Sequence, residues 1–155
     1  IEDDGKVAVA RRGLFSLRQV TEGRAAVKRC AQVGGNLLGE PSAVMFRGKD
    51  LRACLPWDGS LGYVIDLDMY ARVLQRGQVV VTRRSLASFR MAANSWSANL
   101  VAVQAEQVNA FVDRIDTNGW ADLNRFDRLV SRAAVAAQTT ARRAVYALTR
   151  LRGGR

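Results

Sequence analysis

An α/β domain with a helical C-terminal extension is what this chain of 155 residues predicts, on three observations. Apolar residues make up 48% and charged residues 25%, a balance that supports a packed core rather than disorder. Up to about Asn94, short apolar or alternating runs are interspersed with helical periodicities. Beyond Asn94 the pattern is helical only. Residues 1–93 therefore read as one unit and 94–155 as an extension of it.

Asp3-Asp4-Gly5 is a turn signal, followed by a short alternating piece at 6–10. Ser16 is placed to cap a helix over 17–32, with Val20, Val27 and Ala31 on one face. Gly34-Gly35 is its stop, and Gly23 weakens it without breaking it. Asn36 to Gly39 then leads into a strand at 43–47. A short helix or turn at 47–54 and a loop at 55–59 come next. Met69, Tyr70, Val73 and Leu74 repeat at helical spacing within 66–76, and Gly77 ends that run. Residues 78–82 and 85–91 read as two strands joined by Arg83-Arg84. Val101, Val108, Val112 and Ile115 form one face of a helix that stops near Asn118-Gly119. One or two further helices, rich in Ala and Arg, fill 120–151.

The formal net charge is +10, carried by 21 Arg and 3 Lys. Such a balance points to polyanionic partners, and Arg suits bidentate phosphate contacts. The same composition also follows from GC-rich coding. From Gly119 to Arg155 there are 8 Arg against 2 Asp, a net +6. One rival function is therefore a nucleic-acid-binding module, but no helix-turn-helix spacing, zinc motif or interleaved aromatic-basic strand supports it. Another is a peripheral membrane element whose 120–151 helices lie on anionic lipid through their arginines. Val130, Val135, Val145, Leu148 and Leu151 are its apolar material. The plainer alternative is that this tail packs on the domain or on a partner chain.

With no histidine, His-based catalytic triads and His-containing zinc sites are excluded. Cys30 and Cys54 are too far apart for a C-x-x-C motif and read as reduced thiols in a reducing compartment. No apolar run approaches the ~18 residues of a membrane span. Ile1-Glu2-Asp3-Asp4 is acidic where a signal peptide would be basic. The chain opens without Met and reads like the middle of a sequence, so upstream residues are expected.

Two carboxylates stand beside apolar runs. Glu40 precedes Pro41, which holds it extended. Asp66 lies where an apolar run turns into a helix, with the local dipole and free amides favouring its ionised form. If the fold brings the two together, they line one pocket.

In order along the chain, Leu38-Gly39-Glu40-Pro41-Ser42-Ala43-Val44-Met45-Phe46-Arg47, Leu55-Pro56-Trp57-Asp58, Ile65-Asp66-Leu67-Asp68-Met69-Tyr70-Ala71-Arg72 and Leu86-Ala87-Ser88-Phe89-Arg90 with Ser95-Trp96-Ser97 form a set. This set resembles the C-terminal, acceptor-side half of a family 2 glycosyltransferase, over about 36–96. The resemblance implies a partial GT-A (Rossmann-like) mixed sheet with flanking helices. It implies inverting transfer of a sugar from a nucleotide-sugar to a hydroxyl acceptor, a glycan or a lipid-linked one. Asp66 then matches the general base, and Glu40 an acceptor-side residue. Arg90 matches an arginine near the donor diphosphate, and Trp96 a wall of the acceptor site. Each has a plainer role available: helix cap for Asp66, ion pair for Glu40, solvated charge for Arg90, core aromatic for Trp96.

Departures from the family pattern are equally specific. Ile65 stands where the family has the Glu of its Glu-Asp pair, and Ala92 where it often has His. No opening β-α-β half and no D-x-D metal motif precede Glu40. The divalent metal (Mg or Mn) that the resemblance implies is expected from such an upstream motif, and the segment alone is expected to be inactive. Asp66-Leu67-Asp68 has the letters D-x-D but matches the base segment; Asp68 reads as support for the helix start. The expected location is cytoplasmic, at the inner membrane face if the tail is an anchor.

Overall fold

Glu22 decides where the first helix begins. Its carboxylate accepts from the N–H groups of Arg24 (2.9 Å) and Ala25 (2.8 Å), satisfying two donors that a helix start leaves open. Helix α1 therefore runs Gly23–Val33, and the residues before it, Val20–Glu22, form strand β1 rather than the helical turns that the periodicity predicts. The computed structural model describes residues 17–82, 84, 86, 87 and 103–153, excepting the side chains of 142–153. Ser16 and the predicted strand at 6–10 lie outside these residues, as does the strand at 85–91 apart from Leu86 and Ala87.

Gly23 is the first residue of α1, not a weak point inside it. Its N–H donates to Gly77 O (2.9 Å), and a Cβ there would lie 1.8 Å from Leu74 O. Gly34 ends α1 as predicted, with φ 66° and its N–H donating to Ala31 O at 2.9 Å; only glycine takes that backbone readily.

A 3₁₀ turn, Pro41–Ala43, and helix α2, Gly48–Arg52, follow. The strand predicted at 43–47 is not formed. Pro41 fixes a turn in which the N–H of Ala43 donates to Glu40 O (2.8 Å) and that of Val44 to Pro41 O (3.3 Å). Val44 has extended backbone (φ −117°, ψ 135°) but no strand partner among the described residues. A kinked 3₁₀ segment, Gly59–Val64, leads into helix α3, Ile65–Leu74, and strand β2, Gln78–Val80. Helix α4, Gln104–Thr117, and one long helix α5, Arg125–Gly153, complete the order. Strands β1 and β2 pair antiparallel, Val20 opposite Val80, and make the only sheet among the described residues. The architecture is thus a helix-rich mixture of helix and strand.

The core lies between α1, α3, α4 and α5. Val27, Cys30 and Ala31 meet Leu67, Tyr70 and Leu74, with Phe111 and Ile115 from α4 and Val135 from α5 in the same cluster. Burying a side chain such as Phe111 contributes about 1.5–3 kcal/mol.

Helix α5 is keyed to α1. Asn124 and Asp127 cap its start reciprocally, at 2.8 and 3.0 Å. Asp127 also accepts from Lys28 Nζ and Gln32 Nε2, both at 2.8 Å. These two α1 side chains, then the Asn124 N–H, hold the Asp127 carboxyl down at about 2. Gln138 Nε2 donates to Val33 O, and a Cβ on Gly34 would lie 2.8 Å from Val135. Among the described residues no helix is long and apolar enough to cross a membrane.

Candidate functional site

Asn36 follows the stop of α1 and organises the loop behind it. Its Oδ1 accepts from the N–H groups of Leu38 (2.8 Å) and Gly39 (3.1 Å). Its Nδ2 donates to Gly39 O (2.9 Å) and to Asp66 Oδ2 (2.7 Å). The first three bonds form a side-chain-closed turn of the kind Asn favours; the fourth ties that turn to α3. Gly39 has φ 103°, a left-handed backbone that suits glycine. Its carbonyl also accepts from the Tyr70 hydroxyl at 3.1 Å.

Asp66 is the second residue of α3. The cap position belongs to Val64, which makes no side-chain cap bond, and the stretch before it is 3₁₀ rather than extended. Asp66 Oδ1 accepts from the Leu67 N–H at 2.7 Å. Burial pushes the Asp66 carboxyl above its ordinary range, while the Leu67 N–H and the Asn36 amide pull more weakly the other way. The predicted dipole-favoured ionisation therefore meets a larger opposing effect, because among the described residues no cation pairs with this carboxylate.

Glu40 caps the Pro41–Ala43 turn with the extended backbone (φ −67°, ψ 155°) expected before proline. It and Asp66 act on one group. Burial pushes the Tyr70 phenol up, and the charges of Asp66 and then Glu40 push it further. Both sequence-predicted carboxylates thus act electrostatically on Tyr70, whose ring packs on Phe46 at a centroid distance of 5.6 Å. Cys30 is a buried free thiol in the same core cluster as Tyr70. Burial raises it to about 11, against a lowering bond from the Leu37 backbone and with a further push from Asp66. At neutral pH it is a protonated core thiol. Cys54 is free and half-buried.

Asp68 has a different environment from Asp66. It is 1% exposed and lies in the first turn of α3, where an acidic residue supports the helix start as predicted. Its Oδ1 accepts from Arg114 Nη1 at 2.9 Å, and its Oδ2 lies 3.1 Å from Arg72 Nε. Arg114 reaches on to Asp58 Oδ2 (2.8 Å) and Ser60 Oγ (3.0 Å). Arg72 Nη1 donates to the carbonyls of Cys54 (2.6 Å) and Pro56 (2.9 Å), fixing the loop that contains the cis Leu55–Pro56 bond. The N–H and hydroxyl of Ser60, then Arg114, hold the Asp58 carboxyl down at about 2. This network was missed in sequence. Arg72 carries a local signal, four residues after Asp68; Arg114 carries none.

The D-x-D letters at Asp66-Leu67-Asp68 do not fit a divalent cation, since guanidinium groups already occupy Asp68. Among the described residues no group of three or more Asp, Glu, Cys or His side chains could hold a metal. Arg90 and Trp96 lie outside the described residues. A hollow of about 160 Å³ between α4 and α5, lined by Asn109, Val112, Asp113, Arg128 and Arg132, shares no residue with the Asp66 cluster.

Comparison with protein-family models, curated proteins and solved structures finds no match to this chain. The cluster around Asp66 therefore has to be interpreted from its own chemistry. It combines a half-buried carboxylate of raised proton affinity, oriented by two amides, with a second carboxylate acting on the same phenol.

Proposed function

We propose that this chain carries the acceptor-side half of a GT-A glycosyltransferase, with Asp66 as the general base. The observation that carries this reading is the junction at Asn36 and Tyr70. Asn36 ties Asp66, in one segment resembling a family 2 motif, to Gly39 beside Glu40 in another, and both carboxylates act electrostatically on Tyr70. The one that matches the family's base has a raised proton affinity and, among the described residues, no cation paired with it. A base is most effective when its pKa is moved toward the working pH.

In this reaction the acceptor O–H gives its proton to an Asp66 oxygen while the acceptor oxygen bonds to the anomeric carbon. The bond from that carbon to the donor phosphate oxygen breaks, and nucleoside diphosphate leaves with the electron pair. A single displacement of this kind inverts the anomeric centre. Asn36 and the Leu67 amide orient the carboxylate, which matters because misplacement of a base is costly. Glu40 then faces the acceptor, Arg90 pairs with the donor diphosphate and Trp96 walls the acceptor, all on the strength of the resemblance. A divalent metal would assist departure of the diphosphate, but the described residues of this chain do not fit it and no step here depends on it. A nucleotide-sugar donor implies a cytoplasmic site of action.

The test uses the longest reading frame that contains this chain and follows nucleoside diphosphate release from a panel of UDP-, GDP- and dTDP-sugars. Asp66→Asn is expected to lower turnover ~10²- to 10⁴-fold with the circular dichroism spectrum unchanged. Undiminished turnover removes Asp66 as the base. No release by the wild type from any donor sinks the glycosyl-transfer reading itself.

A further inference from the structure

Helix α5 presents two unlike faces. Asp127, Ser131, Val135 and Thr139, four residues apart, are buried. On the other side Phe126 is 69% exposed and Leu129 65%, and the exposed Ala133, Ala137 and Thr140 follow at helical spacing. The strip they form is uncharged over more than three turns. Exposed Arg125 and Arg132, seven residues apart, border it. Arg128 is drawn toward α4 by Asp116 at 3.0 Å, and exposed Arg132 shares with Asp113 the lining of the hollow on that same side. The one acid of α5, Asp127, is on the buried face with Lys28. Over its whole sequence the helix carries 7 Arg against 1 Asp.

We propose that this outer face docks on the surface of an anionic lipid bilayer, lying in its plane. Charge complementarity selects that occupant. A second copy of the chain would bring like-charged arginine borders together, and a purely apolar protein groove would leave them without counter-charge. An anionic bilayer meets both needs: Phe126 and Leu129 enter the headgroup–acyl boundary while Arg125 and Arg132 meet lipid phosphates. The helix is too polar to span. This inference does not depend on the role of Asp66.

The test is co-sedimentation of the whole chain with vesicles of phosphatidylcholine alone, or mixed with phosphatidylglycerol at roughly two to one. Binding is expected on the anionic vesicles only, and it should weaken as salt rises. Phe126→Glu combined with Leu129→Glu should cut it roughly 100-fold. Arg125→Gln and Arg132→Gln should each cut it about fivefold without altering the fold, and they serve if the first variant fails to fold. Equal binding to neutral vesicles overturns the proposal, as does no binding, or unchanged binding by either set of variants. So does a stable dimer of the free chain that is dissociated by Phe126→Glu.

Discussion

Asp66 and Asp68 are two residues apart on one helix, yet their surroundings are opposite. Asp68 is enclosed by Arg72 and Arg114, and its negative charge is answered on both oxygens. Among the described residues Asp66 has only neutral amides as partners, and burial raises its proton affinity. Two residues on a helix turn a side chain through ~200°, enough to send one carboxylate into an ion network and the other to a loop junction. The lesson is that a letter pattern such as D-x-D says little until the facing groups are known. The carboxylate left without a cation is the better candidate for proton transfer.

The sharpest way to break this comparison is to remove a cation from the satisfied member. Arg114→Ala is expected to cost about 3–5 kcal/mol in urea unfolding, because Asp68 would keep a buried charge with half its support. A loss under ~1 kcal/mol would mean Arg72 alone suffices. At the other member, Asn36→Ala removes four hydrogen bonds, but Asn36 is exposed and water replaces part of them. A cost of about 1–2 kcal/mol is expected, together with a shifted pH profile for any turnover that uses Asp66. Tyr70→Phe should be smaller still, about 1 kcal/mol for one bond to Gly39 O.

The pH dependence of stability should carry opposite signs at the two kinds of carboxylate. For Asp66 the folded form holds its proton more tightly than the unfolded chain does. Its contribution therefore falls as pH rises from the ordinary carboxylate value of ~3.9 through the raised one. Asp58 and Asp127, held down at about 2, stabilise above ~3.9, and that stabilisation is lost as pH falls toward 2. Urea midpoints measured across pH should show both limbs. Asp66→Asn should flatten the falling limb, and Asp127→Asn should reduce the acid limb.

Local signals in the sequence survived into the structure. Gly34 stops α1, the spacing of Met69, Tyr70 and Leu74 marks α3, and Gly119 follows α4 with φ 62°. What failed was whatever needed a partner distant in sequence. Val20 has a helical spacing to Val27, but β2 recruits it into a strand and Glu22 supplies the cap. Val44 has the strand conformation without the strand. Glu40 and Asp66 stand out in the sequence, and both act electrostatically on Tyr70. Asn36, which joins their segments, read only as part of a loop, and Arg114 gave no sign of its role. A hydrogen bond across thirty residues, or an ion pair across forty-six, leaves no local trace.

The absence of a side chain at Gly34 has a mechanical consequence. It lets the end of α1 touch the backbone of α5 beside Val135, while Lys28 and Gln32 grip Asp127 two turns earlier. Held at two points along its length, α5 cannot roll about its own axis without breaking one of them. A force applied to its outer strip therefore acts as a torque on the whole domain. Whatever seats Phe126 and Leu129 also fixes the compass bearing of the Asp66 junction.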